Sequence, residues 1–144
     1  MFESYDRDIG MLTNKINKKL IHYLNSKLVK FNLTTEQWAV LVNLSKQDKI
    51  SQKLLSEISS KDQSTITRII DILGRKKFIE RHQSNEDRRS IVIHITESGL
   101  STCKKVAPFL EEMFNDVLKD ISYEKLKIFN EVFLQIDKNI DNLK

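Results

Sequence analysis

Apolar residues Ile9, Leu12, Ile16, Leu20, Tyr23, Leu24, Leu28 and Phe31 recur at steps of three and four, which predicts one long amphipathic helix. The stretch Leu33-Thr34-Thr35-Glu36-Gln37-Trp38 predicts the start of a second. Thr34 is its cap, Gln37 reaches back to the cap, and Leu33 packs on Trp38 across the first turn. Trp38, Leu41 and Val42 form the expected inner stripe. Ser51 repeats the arrangement for a short third helix, with Ile50 packing on Leu55 and with Leu54 and Ile58 inward. Asp62 caps a fourth helix with inner positions Ile66, Ile69, Ile70 and Leu73. Its outer face carries Ser64, Thr67, Arg68, Asp71 and Arg75, with Gln63 and Thr65 in the first turn. Lys76, Lys77 and Phe78 close it. With Lys77 in the left-handed terminating conformation, Phe78 reaches Leu73, and a non-glycine residue there costs about 1 kcal/mol.

The period then changes from 3.6 to 2. Ile79–Gln83 and Ser90–Ile95 read as two strands joined by the polar loop Ser84-Asn85-Glu86-Asp87-Arg88-Arg89. Two strands make no stable sheet alone, so this hairpin must pack on the preceding helices. Thr96 caps a fifth helix with Leu100, Cys103, Ala107, Leu110, Phe114, Val117 and Ile121 on one stripe. Leu126, Phe129, Phe133, Ile136, Ile140 and Leu143 give a sixth. The expected fold class is mainly α with a minor α+β element: a winged helix-turn-helix with a two-stranded wing and a helical dimerisation region.

Composition narrows the function classes. With 144 residues the chain fits one domain or one compact unit of two cooperating parts. Only 3 Gly and 1 Pro argue against a many-stranded β fold. No apolar run approaches the ~18 residues of a membrane span. The opening MFESYDRDIG lacks the order of a secretion signal, and a single cysteine favours a reducing cytoplasm. Residues 1–90 hold 17 Lys+Arg and 11 Asp+Glu, a net of +6; residues 91–144 hold 7 and 9, a net of −2. Such an excess fits a polyanion footprint and also an ordinary solvated surface.

A capped short helix, a turn, a second helix with a polar outer face and a basic-tipped hairpin describe a winged helix-turn-helix. A helix fits the major groove, where hydroxyl, amide and guanidinium groups reach base edges. The candidate DNA-binding residues are Ser51, Gln52, Gln63, Ser64, Thr65, Thr67, Arg68, Arg75, Asp87, Arg88 and Arg89. Basic side chains near helix ends neutralise phosphates. Arg88 and Arg89 at the hairpin tip suit a narrow minor groove, with Asp87 orienting an arginine side chain. The bland alternative for each feature is a solvated helix face and an ordinary loop.

These residues also carry a family resemblance. Ser64-Thr65-Ile66-Thr67-Arg68, Phe78-Ile79-Glu80-Arg81, Asp87-Arg88-Arg89 and Ile95-Thr96-Glu97-Ser98-Gly99 resemble, in order and spacing, the motifs of the MarR family of bacterial transcriptional regulators. The resemblance implies a single MarR-type domain over 1–144, with a winged helix-turn-helix lobe at 33–96 and dimerisation helices at 5–31 and 97–142. It further implies a homodimer, DNA contacts by Ser64, Thr65, Thr67 and Arg68, and a wing arginine, Arg89, positioned by Asp87. Two departures stand out. Lys77 replaces a glycine that usually ends the recognition helix, and Gln83 and Asn85 replace prolines common in the wing, which implies a looser wing.

The dimer has a physical argument of its own. The first helix and the last two carry more apolar stripe than a lobe of some ninety residues can cover, and such a surface marks association; an intramolecular three-helix core is the alternative. A two-fold dimer reads half-sites about 10 bp apart.

The expected activity is a sequence-specific DNA-binding regulator, a ligand-responsive repressor; the alternative is a helix-turn-helix that binds another regulator instead of DNA. No phosphate loop, nucleophile elbow or metal-ligand spacing points to an enzyme, and no cofactor or metal is expected. Family members commonly bind small phenolic or anionic effectors, and His22, Tyr23, Trp38, Phe109 and Met113 are candidates to line such a crevice, each with core packing as its ordinary alternative. Cys103 lies on an apolar stripe as an inert hydrophobe, and the family's peroxide sensors carry their cysteine near the first helix start, where this chain has none. His82 and His94 are expected to share a hairpin face, with no Cys or clustered carboxylate to complete a zinc site.

Overall fold

The structure is a computed structural model that describes residues 7–144. A π-helical turn, Arg7–Leu12, leads into α1 (Thr13–Leu28) and a 3-10 turn, Val29–Phe31. Then follow α2 (Thr35–Lys46), β1 (Ile50–Ser51), α3 (Gln52–Ile58), α4 (Gln63–Arg75), β2 (Ile79–Gln83), β3 (Ile91–Ile95), α5 (Glu97–Val117) and α6 (Tyr123–Asn142). The expected first helix, 5–31, is therefore helical through its described part; residues 5 and 6 lie outside it. None of these helices is long and apolar enough to cross a membrane, among the described residues. The chain divides into two compact units, the first ending at Ala107 and the second Pro108–Lys144.

In the first unit the capping chemistry follows the sequence. Thr34 Oγ1 accepts the Gln37 amide while Gln37 Oε1 accepts the Thr34 amide, a complete capping box. Ser51 and Asp62 cap α3 and α4 by accepting from Leu54 and Thr65. Such caps stabilise by about 1 kcal/mol each where they are not fully solvated. The end of α4 is also as expected. Lys77 adopts φ 62°, its N–H donates to Gly74, and the Phe78 N–H donates to Leu73, which returns orphaned carbonyls of the last turn to hydrogen bonds.

The core gathers Val40, Leu41, Leu44, Leu55, Ile66, Ile69, Ile70, Leu73 and Ile93, all fully buried. The four inner positions of α4 are the ones its periodicity gives. Other stripes shift. On α2 the inner residues are Gln37, Val40, Leu41 and Leu44, while Trp38 and Val42 are only partly buried. On α3 they are Leu55 and Ser56, with Leu54 partly buried and Ile58 exposed. The buried polar groups explain both shifts. Gln37 is satisfied by its capping box and by the Lys76 ammonium at 2.7 Å; the Ser56 hydroxyl donates to the Lys61 carbonyl at 2.6 Å. Neither burial leaves an unpaired group, so neither is penalised.

The two expected wing strands, β2 and β3, pair antiparallel, and a short strand the sequence did not suggest joins them. Residues Ile50–Ser51 form a third strand, giving the antiparallel order β1-β3-β2, with Ile50 opposite Ile93 and Ser51 opposite Val92. Ile79 pairs with Ile95 and Gln83 with Ile91 across β2 and β3. The Asp48 carboxylate extends this edge by accepting the Ile95 amide.

Thr96 caps α5 by accepting the Gly99 amide, and its hydroxyl donates to the Lys77 carbonyl. At Gly99 a Cβ would lie 2.3 Å from the Phe78 carbonyl oxygen. That close approach fixes the phase of α5, so its buried positions are Gly99, Cys103, Val106, Leu110 and Met113, while Leu100, Ala107 and Val117 are exposed and Phe114 partly buried; Ile121, expected on the same stripe, is exposed beyond the helix end. Burial raises the Cys103 thiol above its ordinary range.

The first unit leaves a row of apolar side chains uncovered. Ile9, Leu12, Ile16 and Tyr23 are exposed, Leu20, Leu24 and Phe31 are partly buried, and within α1 only Leu28 is buried. In the second unit Ser122 caps α6, and no residue of that helix is buried. Of its expected stripe, Phe129, Phe133, Ile140 and Leu143 are exposed and Leu126 and Ile136 partly buried. The Phe129 and Phe133 rings lie 4.5 Å apart.

Candidate nucleic-acid interface

The outward stripe of α4 is the one the period of 3.6 gives: Ser64, Thr67, Arg68, Asp71 and Arg75 are all exposed, as is Gln63 at the first helical position. Thr65 is partly buried, with its amide engaged by the Asp62 cap. Hydrogen bonds from the side chain and backbone of Thr65 hold the Asp62 carboxyl below its ordinary value of 3.8.

Ion pairs and hydrogen bonds tie this helix to its surroundings. The Arg68 guanidinium meets the Glu36 carboxylate at 2.9 Å, with both side chains about half exposed. Arg81 on β2 pairs with Asp71, which binds the wing to the helix. At the far end the Lys76 ammonium donates to the Asn32 carbonyl at 2.6 Å as well as to Gln37; its partial burial lowers its pKa. An exposed pair such as Arg68–Glu36 is worth at most about 1 kcal/mol, so Arg68 can exchange Glu36 for a nucleic acid at little cost.

Ser51 and Gln52 open α3 beside this face. The Ser51 hydroxyl is engaged as the cap. Gln52 Nε2 donates to Thr67 Oγ1 at 2.9 Å, and Thr67 Oγ1 donates to the Gln63 carbonyl at 2.8 Å.

The wing loop presents Asp87, Arg88 and Arg89 to solvent. Asp87 accepts the backbone amide of Arg89 at 3.0 Å. It thus places Arg89 through the main chain, not through the guanidinium as the sequence suggested, because the two residues share one tight turn. The loop is also well tied where prolines were expected. Gln83 Nε2 donates to the Arg88 carbonyl, the Ser84 amide to Ser90, and the Ser84 hydroxyl accepts the Glu86 amide. Side-chain and turn hydrogen bonds stand where the prolines were expected.

Helix and wing meet at an open cleft of about 330 Å³ lined by Gln52, Lys53, Gln63, Asp87, Arg89, Ser90 and Ile91. Of the sequence candidates, Gln52, Gln63, Asp87 and Arg89 converge here. Ser64, Thr67 and Arg68 continue the surface along α4, and Arg75 lies at its far end. Lys53 escaped the sequence reading although its place in the first turn of α3 is a usable signal. Glu36, 32 positions from Arg68, has no local signature.

Of the crevice candidates, His22 and Tyr23 are exposed, with the Lys27 ammonium 5.6 Å from the Tyr23 ring centre. Trp38 and Phe109 are partly buried and Met113 is buried. Core packing therefore describes Met113 fully and does not describe His22 or Tyr23. His82 and His94 do share a face, their rings 4.1 Å apart, and Glu80 lies 3.1 Å from His82. Glu80 opposes His94 in the β2–β3 register and stands two residues from His82 on the same strand. No group of three or more His, Cys, Asp or Glu is arranged to hold a metal ion, among the described residues.

Comparison with known proteins bears on this surface. The profile described as "MarR family" matches residues 33–91. The regulator YpoP of Bacillus subtilis, an uncharacterized HTH-type transcriptional regulator, is 30% identical over 131 residues, covering 91% of this chain and 92% of that protein. A mutant MarR from E. coli complexed with operator DNA superposes with a TM-score of 0.85 at 21% identity, over 92% of this chain and 96% of that one. The PcaV regulator from Streptomyces coelicolor, in complex with its natural ligand, gives 0.81 at 21% identity, over 90% and 91%. The chain, with its capped α4 and arginine-bearing wing, belongs to the MarR family of transcriptional regulators.

Proposed function

We propose that this regulator works as a cytoplasmic homodimer that represses transcription from a palindromic operator and releases it on binding a small effector. The observation that carries the reading is the convergence of the α4 face and the wing on one exposed, amide- and arginine-bearing surface. Gln63, Ser64 and Arg68 reach base edges in the major groove, with Thr67 beside them on the same face, while Lys53, Arg88 and Arg89 contact phosphates or the adjoining minor groove. Ser51, Thr65, Arg75 and Asp87 support that surface. The DNA-bound and ligand-bound relatives give the same direction.

Dimerisation through 5–31 and 97–142 is supported by the exposed Ile9, Leu12 and Ile16 and by the exposed Phe129, Phe133 and Ile140. Hydrophobic rows of this kind are costly to leave in water. The effector acts by favouring dimers whose recognition helices are wrongly spaced; to carry the equilibrium from 1:99 to 99:1 it needs a differential affinity of about 5.5 kcal/mol.

The test is nuclease protection of the gene's own upstream region. The native protein protects an inverted repeat with half-site centres about 10 bp apart. Arg68→Ala weakens discrimination between that repeat and unrelated DNA, and Arg89→Ala weakens binding where the flanks are A·T-rich. Protection identical in both variants, or none by the native protein, overturns the assignment; the second outcome favours a helix-turn-helix that binds another regulator.

A further inference from the structure

The hydrogen bonds of Thr67 determine which way round Gln52 faces. A threonine hydroxyl has one proton to give. Thr67 donates it to the Gln63 carbonyl at 2.8 Å, one turn back along α4. Towards Gln52, 2.9 Å away, the same oxygen can only accept. The amide oxygen of Gln52 is an acceptor too and would face a lone pair there. The Gln52 NH2 must therefore point at Thr67, and the amide orientation follows from the network itself. Two results come from this. The Thr67 hydroxyl has no proton left for a base and meets DNA chiefly through its methyl group. Gln52 keeps its Oε1 acceptor and one N–H donor, on a side chain that lines the cleft between α4 and the wing.

Resting on the DNA-reading assignment above, we propose that Gln52, although it lies on α3 and outside the recognition helix, reads one adenine in each half-site, and that Thr67 is the residue that positions it. An acceptor beside a donor matches the N6 amino group and N7 of adenine in the major groove, the pairing that glutamine makes. A rotamer held by a hydrogen bond from the neighbouring helix gives that pairing a fixed direction, whereas an unanchored glutamine turns its amide to suit either donor or acceptor edges. The proposal also separates two roles within one motif: in Ser64-Thr65-Ile66-Thr67-Arg68, Thr67 serves as an anchor for Gln52.

The experiment is selection of binding sites from a randomised double-stranded library, run in parallel with the native protein and its variants. The native half-site shows one position with a preference for adenine, which Gln52→Ala reduces by about five- to a hundredfold, the discrimination of a single bidentate contact. Thr67→Val keeps the shape but removes the accepting oxygen, and it relaxes that same position and no other. Thr67→Ser keeps the oxygen and restores the preference, which a purely structural role for the threonine methyl would not do. Gln52→Glu, which cannot donate to Thr67, moves the preference towards cytosine. A native motif that survives Gln52→Ala and Thr67→Val unchanged at every position overturns the proposal and leaves the DNA-reading assignment standing. A native protein that enriches no motif overturns both.

Discussion

Replacing Gly99 and Gly74 by alanine makes the same chemical change on two helices and is expected to move stability in opposite directions. At Gly99 the new Cβ would lie 2.3 Å from the Phe78 carbonyl oxygen and 2.7 Å from Ile95 Cγ1. Room for it requires a displacement of about 1 Å, and the carbonyl is not free to move. It accepts the Thr96 amide at 3.0 Å, and Thr96 in turn donates to the Lys77 carbonyl and caps Gly99. Overpacking at a fixed site costs about 1–3 kcal/mol, and disturbing the cap adds about 1 kcal/mol. The better helix propensity of alanine offsets about 1 kcal/mol. The net expectation is a loss of about 1–3 kcal/mol. At Gly74 nothing lies within 4 Å of the added Cβ, so propensity acts alone and stabilises by about 0.5–1 kcal/mol. Denaturant unfolding of both variants beside the native protein measures the difference, at one fixed protein concentration because association shifts apparent stability. A Gly99→Ala protein as stable as the native, or both variants moving the same way, refutes the reasoning about the Phe78–Thr96 junction.

Three further outcomes follow from the same geometry. Lys77→Gly removes the left-handed strain at φ 62° and stabilises by up to about 1 kcal/mol; a loss of stability in the unfolding midpoint contradicts the helix-end assignment. Asp62 has a folded pKa below its ordinary 3.8, so its cap contributes fully above about pH 4 and fades as pH falls through the lowered value. Asp62→Asn keeps a capping acceptor without the charge and removes that component of the acid limb, as unfolding curves at about pH 2–5 register. The buried Cys103 thiol, raised in pKa, reacts with an aromatic disulfide far more slowly in the native protein than after denaturation; equal rates would place it at the surface.

Local chemistry was the part of the molecule most legible in the sequence. Thr34, Ser51, Asp62 and Thr96 cap the helices expected of them, and Lys77 takes the left-handed position, because each depends on a few neighbouring residues. The inner face of α4 was equally plain, since four isoleucines and leucines at one period leave no competing stripe. Where a polar residue is buried, the pattern misled. Gln37 and Ser56 enter the interior because a cap, a lysine and a nearby carbonyl satisfy them, and a count of apolar positions cannot register that. Gly99 set the phase of α5 through a backbone approach that no side-chain pattern reveals. Strand β1, two residues long, is defined by its partner β3 and has no periodicity to find. At the candidate interface the outward residues of α4 and the wing were readable one by one. The Gln52–Thr67, Arg68–Glu36 and Lys76–Asn32 contacts were not, since each joins residues from separate elements.

The most direct test of the central claim is the salt dependence of operator binding by the native protein and by an Arg88→Ala, Arg89→Ala variant. Each phosphate contact contributes a slope of about −0.9 to the plot of log affinity against log salt. If the wing and α4 together engage DNA, the native affinity falls steeply with salt, and the variant dimer gives a slope shallower by about 2 to 4. An affinity indifferent to salt, or parallel slopes for the two proteins, would contradict the account.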